Sequence, residues 1–340
     1  MLRVLIVLAV LALLACGVIL YLPVYFFNFI VKRKDPLPGT AAYDKAQERY
    51  EGNRDGGLPR GKTLPWIFTQ PCETVRLVSH DGLNLEGLFL SAFGAAPEGP
   101  GASGKANNIG NGVSSGTVIL AHGYSGDAGQ LSAYARFFYE QLGFNVLLPH
   151  ARGHGGSGGN YIGFGWPDRL DYLKWIEWVK SRTAPGGAGA RIVLFGISMG
   201  AATVLMTGGE NPPPEVKAIV EDCGYTSVEE ELRHQMLFRY HIRSERLLKA
   251  TGALTRKRAG YSFEEASSLN QVKKIALPTL FIHGDADTFV PFRMVYSLYE
   301  ACTAEKELYV IKGAGHGMAY DVDGKEYEKR VIQFVKKYLQ

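Results

Sequence analysis

The 340-residue sequence has few cysteines and little excess charge of either sign. Its four cysteines, Cys16, Cys72, Cys223 and Cys302, show no C-x-x-C spacing, which argues against both a zinc site and a disulfide framework. The formal net charge is only +4, and no stripe of Lys and Arg alternates with aromatic residues. A nucleic acid is therefore not expected as a partner.

The N-terminal segment lacks charged residues from Val4 to Val31. This run exceeds the roughly 20 residues that a helix needs to cross a bilayer, and it is longer than the ~7–15 apolar residues of a signal peptide. The aromatic residues near its C-terminal end resemble the interfacial belt of membrane helices; they are Tyr21, Tyr25, Phe26, Phe27 and Phe29. The sequence therefore predicts a transmembrane anchor over residues 1–34 and a membrane-anchored protein.

Two properties of this segment stay open. Residues 13–16 resemble a lipobox, although the residues after Cys16 stay apolar, which favours the transmembrane interpretation. Three basic residues at 32–34 outnumber Arg3 and the amino group at the other end, which slightly favours a cytoplasmic C-terminal domain. The side of the membrane is left open, and residues 1–31 are expected to play no part in catalysis.

After this segment the sequence is first polar and then shows the alternating pattern of β-strands. Residues 35–72 contain several Pro and Gly and are interpreted as a juxtamembrane connector with one short helix at 43–50. Alternating apolar residues over Glu73–Ser79 and Leu83–Ser91 predict a β-hairpin. Residues 94–116 consist almost entirely of Gly, Ala, Asn, Ser and Pro, which predicts a flexible surface loop.

From Thr117 onward, short apolar segments alternate with helical patterns. The predicted strands are Thr117–Ala121, Asn145–Pro149, Arg191–Phe195, Lys217–Glu221, Thr279–His283 and Glu307–Ile311. The predicted helices are Ala128–Leu142, Trp166–Ser181, Met199–Thr207, Pro291–Cys302 and a last one near Lys325–Leu339. This alternation indicates an α/β fold with a mostly parallel sheet and helices on both faces. Residues 224–270 are helical in pattern and lie between two strands, which predicts a small helical cap within one domain over residues 73–340.

A G-x-S-x-G motif occupies residues 196–200, between a predicted strand and a predicted helix. This is the context of a nucleophile elbow, in which a sharp turn exposes the central Ser198. Glycine at both ends of the motif removes side chains that would collide in the turn. The N-terminus of the following helix directs N–H groups toward a developing oxyanion. Ser198 is therefore the candidate nucleophile.

A serine nucleophile needs a base and a carboxylate that orients the base. His316 lies in a glycine-rich segment directly after the last predicted strand. Asp285 and Asp287 follow the strand before it, and Asp222 lies at the end of the strand Lys217–Glu221. Serine, acid and histidine thus follow one another along the chain in the order found in the fold that carries a nucleophile elbow.

These motifs resemble those of α/β-hydrolases. The sequence is similar to the serine aminopeptidase-like and prolyl oligopeptidase-like hydrolases, and to membrane-anchored bacterial cell-surface hydrolases, over roughly residues 73–338. In that family the acid precedes a Val-Pro pair by three residues, which implies Asp287. Asp285 is the second choice, and Asp222 is the third. The resemblance implies that His283 has a structural role.

The resemblance also extends to two loops. The segment His122–Gly126 follows the first predicted parallel strand, and in the family the residue after His-Gly donates one oxyanion N–H. The residue after the nucleophile donates the other, so the main chains of Tyr124 and Met199 are implied. Residues 149–157 resemble the family's R-G-H-G-x-S loop, in which Arg152 and His154 are architectural. His150 departs from the pattern, because the family usually carries Asp there.

The resemblance implies an acyl-enzyme mechanism that requires neither a metal nor a cofactor. The leading expectation is a hydrolase of small carboxylic esters, with a preference for short or medium acyl chains because the cap is small and rich in charge. The alternative is a serine peptidase of the aminopeptidase or prolyl oligopeptidase type, although the latter usually carries a large additional domain. A non-catalytic membrane-tethered binding module is less favoured. The sequence indicates neither the physiological substrate nor the oligomeric state.

Overall fold

The computed structural model describes residues 2–42, 64–92, 116–183 and 189–339. The short helix predicted at 43–50 lies outside the described residues, and so does the loop predicted at 94–116, apart from its last residue. Of the predicted connector, the described part includes a single turn of 3₁₀-helix at Trp66–Thr69.

Eight strands in the described part of the chain form one sheet. They are β1 (Glu73–Val78), β2 (Asn84–Leu90), β3 (Thr117–Ala121), β4 (Asn145–Pro149), β5 (Ile192–Ile197), β6 (Val216–Asp222), β7 (Thr279–Gly284) and β8 (Lys306–Ile311). Their order is β1-β2-β4-β3-β5-β6-β7-β8. The hairpin β1–β2 is antiparallel, as is the pairing of β2 with β4, and the other pairs are parallel. The prediction of a mostly parallel sheet is confirmed.

The helices are α1 (Leu2–Ile30), α2 (Ser132–Leu142), α3 (Asp168–Thr183), α4 (Met199–Gly208), α5 (Val228–Tyr240), α6 (Glu245–Ala259), α7 (Ser268–Val272), α8 (Arg293–Ala301) and α9 (Ala319–Tyr338). Alternate residues of a strand face opposite sides of a sheet. Accordingly, Val118 and Leu120 of β3 pack with α2 and α9, whereas Ile119 packs with α3 and α8. Helices on both faces therefore bury the sheet, as predicted.

Three helices, α5, α6 and α7, occupy the segment predicted as a cap between β6 and β7. Serine side chains cap α5 and α6 at their N-termini, where Ser227 Oγ accepts from Glu230 N (3.1 Å) and Ser244 Oγ accepts from Leu247 N (3.2 Å). The base of the segment is closed by main-chain hydrogen bonds from Val228 N to Ala266 O (2.9 Å) and from Leu269 N to Thr226 O (2.8 Å). We call this closure the neck of the cap.

The C-terminal turns of α1 pack against the rest of the protein. Phe26 and Phe27 are only 4% and 1% exposed and belong to a cluster with residues of the cap. Tyr21, Tyr25 and Phe29 are exposed. Within the described residues, no helix combines the length and apolarity that spanning a bilayer demands. The predicted transmembrane anchor is thus not supported, and two of the five aromatic residues assigned to a membrane interface are instead buried against protein.

Candidate active site

Ser198 lies in the sharp turn between β5 and α4, with φ 57° and ψ −117°. The two glycines of the motif make this turn possible. A Cβ atom at Gly196 would lie 2.2 Å from the carbonyl oxygen of Gly200, and one at Gly200 would lie 2.0 Å from the carbonyl oxygen of Ala121. Main-chain atoms cannot yield to such contacts, so only glycine fits at either position. The strained backbone at Ser198 is thereby held by its neighbours.

The His316 ring lies between the two other residues that the sequence singled out. Its Nε2 is 2.8 Å from Ser198 Oγ, and its Nδ1 is 2.7 Å from Asp287 Oδ2. An ionised carboxylate only accepts hydrogen bonds, so Nδ1 carries the ring proton and Nε2 is left as the acceptor for the serine hydroxyl. The structure thus brings together Ser198, His316 and Asp287, while their catalytic roles remain a prediction.

Asp287 is buried but surrounded by donors. Its Oδ1 accepts from Phe289 N (2.9 Å) and Val290 N (3.0 Å), and His283 Nε2 approaches its Oδ2 at 3.2 Å. Burial alone would raise the pKa of Asp287, but the hydrogen bonds from His283 and His316 outweigh burial and lower the pKa to about 2. Asp287 is therefore a carboxylate throughout the neutral range.

The two alternative carboxylates are engaged elsewhere. Asp285 Oδ1 accepts from Gly313 N at 2.6 Å and so shapes the loop that precedes His316. Asp222 is fully buried, its Oδ2 accepts from the Tyr327 hydroxyl at 2.9 Å, and burial raises its pKa to about 6. Neither carboxylate has the contact with the His316 ring that Asp287 has.

Met199 directly follows Ser198, and Gly123, the residue before Tyr124, borders Ser198 from another side. Met199 is the first residue of α4, and the N–H groups of a first helical turn have no partner within the helix. On the other side, a Cβ atom at Gly123 would lie 3.5 Å from Ser198 Cβ, so the Gly123–Tyr124 segment borders the serine. The implied role of these two N–H groups as oxyanion donors remains a prediction.

Two buried histidines fix the loop that carries Tyr124. His122 Nδ1 donates to Gly123 O (2.8 Å), and its Nε2 accepts from Ala151 N (3.0 Å). His154 Nε2 accepts from Ser125 N (3.2 Å). Burial lowers the pKa of His122 to about 4 and that of His154 to about 3, which keeps both rings neutral and able to accept.

Other residues of the loop at 149–157 also make structural contacts. Arg152 pairs with Asp171 (2.7 Å) and with Asp81 (2.8 Å), so it ties the loop to α3 and to the β1–β2 turn. His150, which departs from the family pattern, accepts from Gly156 N through Nδ1 at 2.9 Å. A neutral imidazole thus serves as the acceptor at this position. Burial lowers the pKa of His150, which also favours the neutral ring.

The structure adds one group of residues that the sequence analysis missed, on α5 of the cap. Gln235 Nε2 donates to Phe289 O at 2.6 Å, and the Arg239 guanidinium lies 4.9 Å from the centre of the Phe289 ring. The Phe289 ring in turn stacks on His316, with centroids 4.6 Å apart. Gln235 and Arg239 are four residues apart, a spacing that places both on one helix face. This spacing of two polar residues could have been recognised in the sequence.

Within the described residues, three side chains at this site are of the types that bind metal ions. Atoms of Cys223, Asp287 and His316 all lie within 4.8 Å of one another. Burial raises the pKa of the Cys223 thiol well above its ordinary value, and a protonated thiol is a poor metal ligand. Asp287 and His316 already bond to each other. The arrangement is thus suited to proton transfer from the serine.

The model of the prolyl oligopeptidase family matches residues 130–340. The chain is similar to the uncharacterized protein YqkD of Bacillus subtilis (strain 168), with 31% identity over 219 residues, 64% of this chain and 70% of that protein. It also matches the structure of an esterase from Pyrococcus furiosus, with a TM-score of 0.61 and 24% identity over 84% of this chain and 100% of the other. An acylaminoacyl peptidase from Pyrococcus horikoshii matches with a TM-score of 0.54 and 17% identity, over 78% of this chain and 41% of that protein.

Proposed function

The chain belongs to the prolyl oligopeptidase family of α/β-hydrolases, and we propose that it is a serine hydrolase that cleaves carboxylic esters through an acyl-enzyme on Ser198. One observation carries the proposal: the His316 ring is hydrogen-bonded to Ser198 Oγ on one side and to the Asp287 carboxylate on the other, at 2.8 and 2.7 Å. Such a relay lets a serine hydroxyl lose its proton as it attacks a carbonyl.

The proposed reaction has two halves. Ser198 Oγ attacks the ester carbonyl carbon while His316 Nε2 takes the hydroxyl proton, and Asp287 stabilises the imidazolium that forms. Collapse of the tetrahedral intermediate breaks the C–O bond, and the departing alkoxide takes the proton from His316. A water molecule then attacks the acyl carbon while His316 Nε2 takes a proton from the water. Collapse of this second tetrahedral intermediate breaks the bond to Ser198 Oγ, which regains the proton from His316, and the carboxylic acid leaves.

The negative oxygen of each tetrahedral intermediate needs donors that are already in place. We assign the N–H groups of Tyr124 and Met199 to this role, because Met199 directly follows Ser198 and Gly123, the residue before Tyr124, borders Ser198 from another side. Removal of one such donor typically costs about 3–4 kcal/mol of barrier height. The dipole of α4 also stabilises this negative oxygen, since the positive end of the helix points toward Ser198.

The peptidase alternative rests on the family name and on the likeness to the acylaminoacyl peptidase. The ester assignment is supported by the esterase structure, which this chain matches over that protein's whole length. Ester cleavage is also the less demanding reaction for an elbow serine, because an alkoxide is a better leaving group than an amide nitrogen anion.

We further propose a preference for short or medium acyl chains. The cap segment is short, and it places the Gln235 amide and the Arg239 guanidinium beside Phe289, in the loop that carries Asp287. A long acyl chain needs a continuous apolar channel, because burying polar groups beside it without partners costs free energy.

The serine assignment is tested by labelling the purified protein with a fluorophosphonate probe. The expected result is one covalent adduct by intact mass, absent from Ser198→Ala and present in Ser125→Ala, a control that removes an exposed hydroxyl of the neighbouring loop. An adduct that persists in Ser198→Ala would overturn the assignment.

The substrate class is tested with p-nitrophenyl acetate, butyrate, octanoate and palmitate beside aminoacyl p-nitroanilides. We expect the highest kcat/KM for butyrate or octanoate. A maximum for palmitate would contradict the acyl-length proposal, and higher kcat/KM for the anilides would favour the peptidase.

A further inference from the structure

The chain that follows α1 pairs with the loop between β4 and α3. Val31 O accepts from Ile162 N at 2.7 Å, and Arg33 N donates to Asn160 O at 2.8 Å. Between these bonds, Lys32 forms an antiparallel bridge with Tyr161. Residues 31–33 thus act as a short additional strand on this loop. Because the two partners are far apart in the sequence, the pairing ties the N-terminal segment to the domain.

Arg33 extends this attachment into the glycine-rich part of the same loop. It is only 8% exposed, and its guanidinium donates to the carbonyls of Ser157 (2.5 Å) and Gly155 (2.5 Å). Asp35 binds the same loop, because its Oδ2 accepts a hydrogen bond from Gly155 N at 2.8 Å. A guanidinium has five donors in a planar fork, so it serves several carbonyls at once in a way that a lysine ammonium does not.

The residues that Arg33 holds directly follow His154. The ring of His154 accepts from Ser125 N at 3.2 Å, and Ser125 is the residue after Tyr124. A continuous series of contacts therefore runs from Arg33, through the 155–157 main chain and His154, to the segment that borders Ser198.

A second connection reaches Tyr124 directly. Its hydroxyl donates to Ile30 O at 2.9 Å, and Ile30 is the last residue of α1, where carbonyls lack partners within the helix. The Tyr124 ring stacks on Phe164, with centroids 5.5 Å apart. The side chain of Tyr124 is thus held at both its ring and its hydroxyl.

The end of α1 is itself anchored, so the Ile30 carbonyl is a fixed acceptor. Phe26 meets the Tyr240 ring edge-on at 5.9 Å, and Phe27 meets the Tyr161 ring at 5.4 Å. Both phenylalanines are almost completely buried.

We infer that Arg33 and the C-terminal end of α1 are positioning elements for catalysis, which hold Tyr124 so that its main-chain N–H faces the oxyanion. This inference rests on the proposed function and deepens it. It also opposes the expectation that the N-terminal segment plays no part in catalysis. An oxyanion donor acts only when it is in place before the charge develops, so a small loosening of the Tyr124 loop weakens the transition state more than the bound substrate.

The experiment compares full-length Tyr124→Phe, Arg33→Lys and Arg33→Ala with two controls, Tyr296→Phe and Lys32→Ala, whose side chains are exposed. Active sites are titrated with a fluorophosphonate, and kcat and KM for an ester are expressed per titrated site. We expect kcat to fall roughly 5-fold in Tyr124→Phe, since one hydrogen bond is lost, and roughly 10- to 100-fold in Arg33→Ala. Arg33→Lys should lie between Arg33→Ala and the unaltered protein, and KM should stay within about twofold.

The affinity of a boronic acid inhibitor, which mimics the tetrahedral intermediate, gives a second measurement. It should weaken in parallel with kcat/KM in the three variants and stay unchanged in both controls. If Tyr124→Phe and Arg33→Ala keep normal kcat per titrated site and merely contain fewer active molecules, the segment is only structural and the inference is overturned. If the unaltered protein neither takes up the probe nor cleaves esters, the proposed function fails, and the inference fails with it.

Discussion

His283 and Asp287 form a completely buried pair at the end of β7, with His283 Nε2 3.2 Å from Asp287 Oδ2. The same oxygen meets His316 Nδ1 at 2.7 Å, so two imidazoles share one carboxylate oxygen. Burial would lower the pKa of His283, but the hydrogen bond with Asp287 and the nearby Glu221 outweigh burial and raise it. The pair fixes the rotation of Asp287 and offsets part of its charge.

Substituting His283 should change the pH dependence of catalysis. In His283→Gln the Asp287 charge is less compensated, so it favours the protonated form of His316, which cannot accept the serine proton. We expect the acidic limb of the kcat/KM profile to move to higher pH, with a roughly 3- to 10-fold lower plateau. Profiles from pH 5 to 9 measure this, with His80→Gln as an exposed control. An unshifted limb would show that His283 has no electrostatic influence on the relay.

The two neighbouring carboxylates should differ sharply. Asp287→Asn removes the charge and the acceptor that orient His316, so we expect kcat to fall at least about 100-fold with the fold retained. Asp285→Asn disturbs only the bond from Gly313 N and should stay within about threefold. Ester turnover and circular dichroism of both variants measure this. A severe loss in Asp285→Asn beside a mild one in Asp287→Asn would show that Asp285, and not Asp287, orients His316.

Alanine in place of either glycine of the G-x-S-x-G motif should lower the stability of the fold. In Gly200→Ala the new Cβ would lie 2.0 Å from Ala121 O, which forces the main chain apart. We expect a loss of at least about 3 kcal/mol in the free energy of unfolding, measured by urea titration. Gly324→Ala is the matched control, because the nearest atom to its Cβ is 3.8 Å away. Equal stability of the two variants would contradict the steric account.

Glu231 should make the protein less stable at alkaline pH. This residue of α5 is almost completely buried, its Oε1 accepts from Gln235 Nε2, and burial raises its pKa from 4.5 to about 8. Between these values the folded state keeps a proton that the unfolded state loses, so stability falls as pH rises, by at most about 1.4 kcal/mol per pH unit. Glu231→Gln should make this decline shallower between pH 5 and 8, as measured by urea titration at each pH; buried Glu221, whose pKa is also raised to about 8, keeps part of it. Exposed Glu300→Gln serves as the control, and a slope unchanged in Glu231→Gln would count against the buried neutral acid.

The sheet and the three residues of the relay were predictable because local patterns determine them. The observed bounds of β3 and β4 are those that their apolar runs predicted, and β5 to β8 differ by one or two residues at their ends. Parallel strands deliver their carboxyl ends to one edge of a sheet, so residues after β5, β7 and β8 had to meet there. Ser198, Asp287 and His316 are those residues.

The contacts of the N-terminal segment were not predictable in the same way. Arg33 stands between two lysines after an apolar run, a composition that fits a membrane flank as well as it fits a buried guanidinium. Its partners are carbonyls of residues 155–157, and main-chain carbonyls leave no trace in a sequence. The packing of Phe26 and Phe27 is likewise a tertiary event, which residue type alone does not specify.

Between Thr226 and Leu269 the chain leaves the sheet and returns to it through the closed neck, so the cap is an insert between two neighbouring strands. Its two ends stay together whatever lies between them, because β6 and β7 are hydrogen-bonded neighbours. Changes in the length of such an insert alter loop-closure entropy only slowly. Laboratory evolution is therefore able to randomise the outward faces of α5 and α6 while the sheet keeps Ser198 and His316 aligned. Selection for new substrates then acts on residues that take no part in bond breaking.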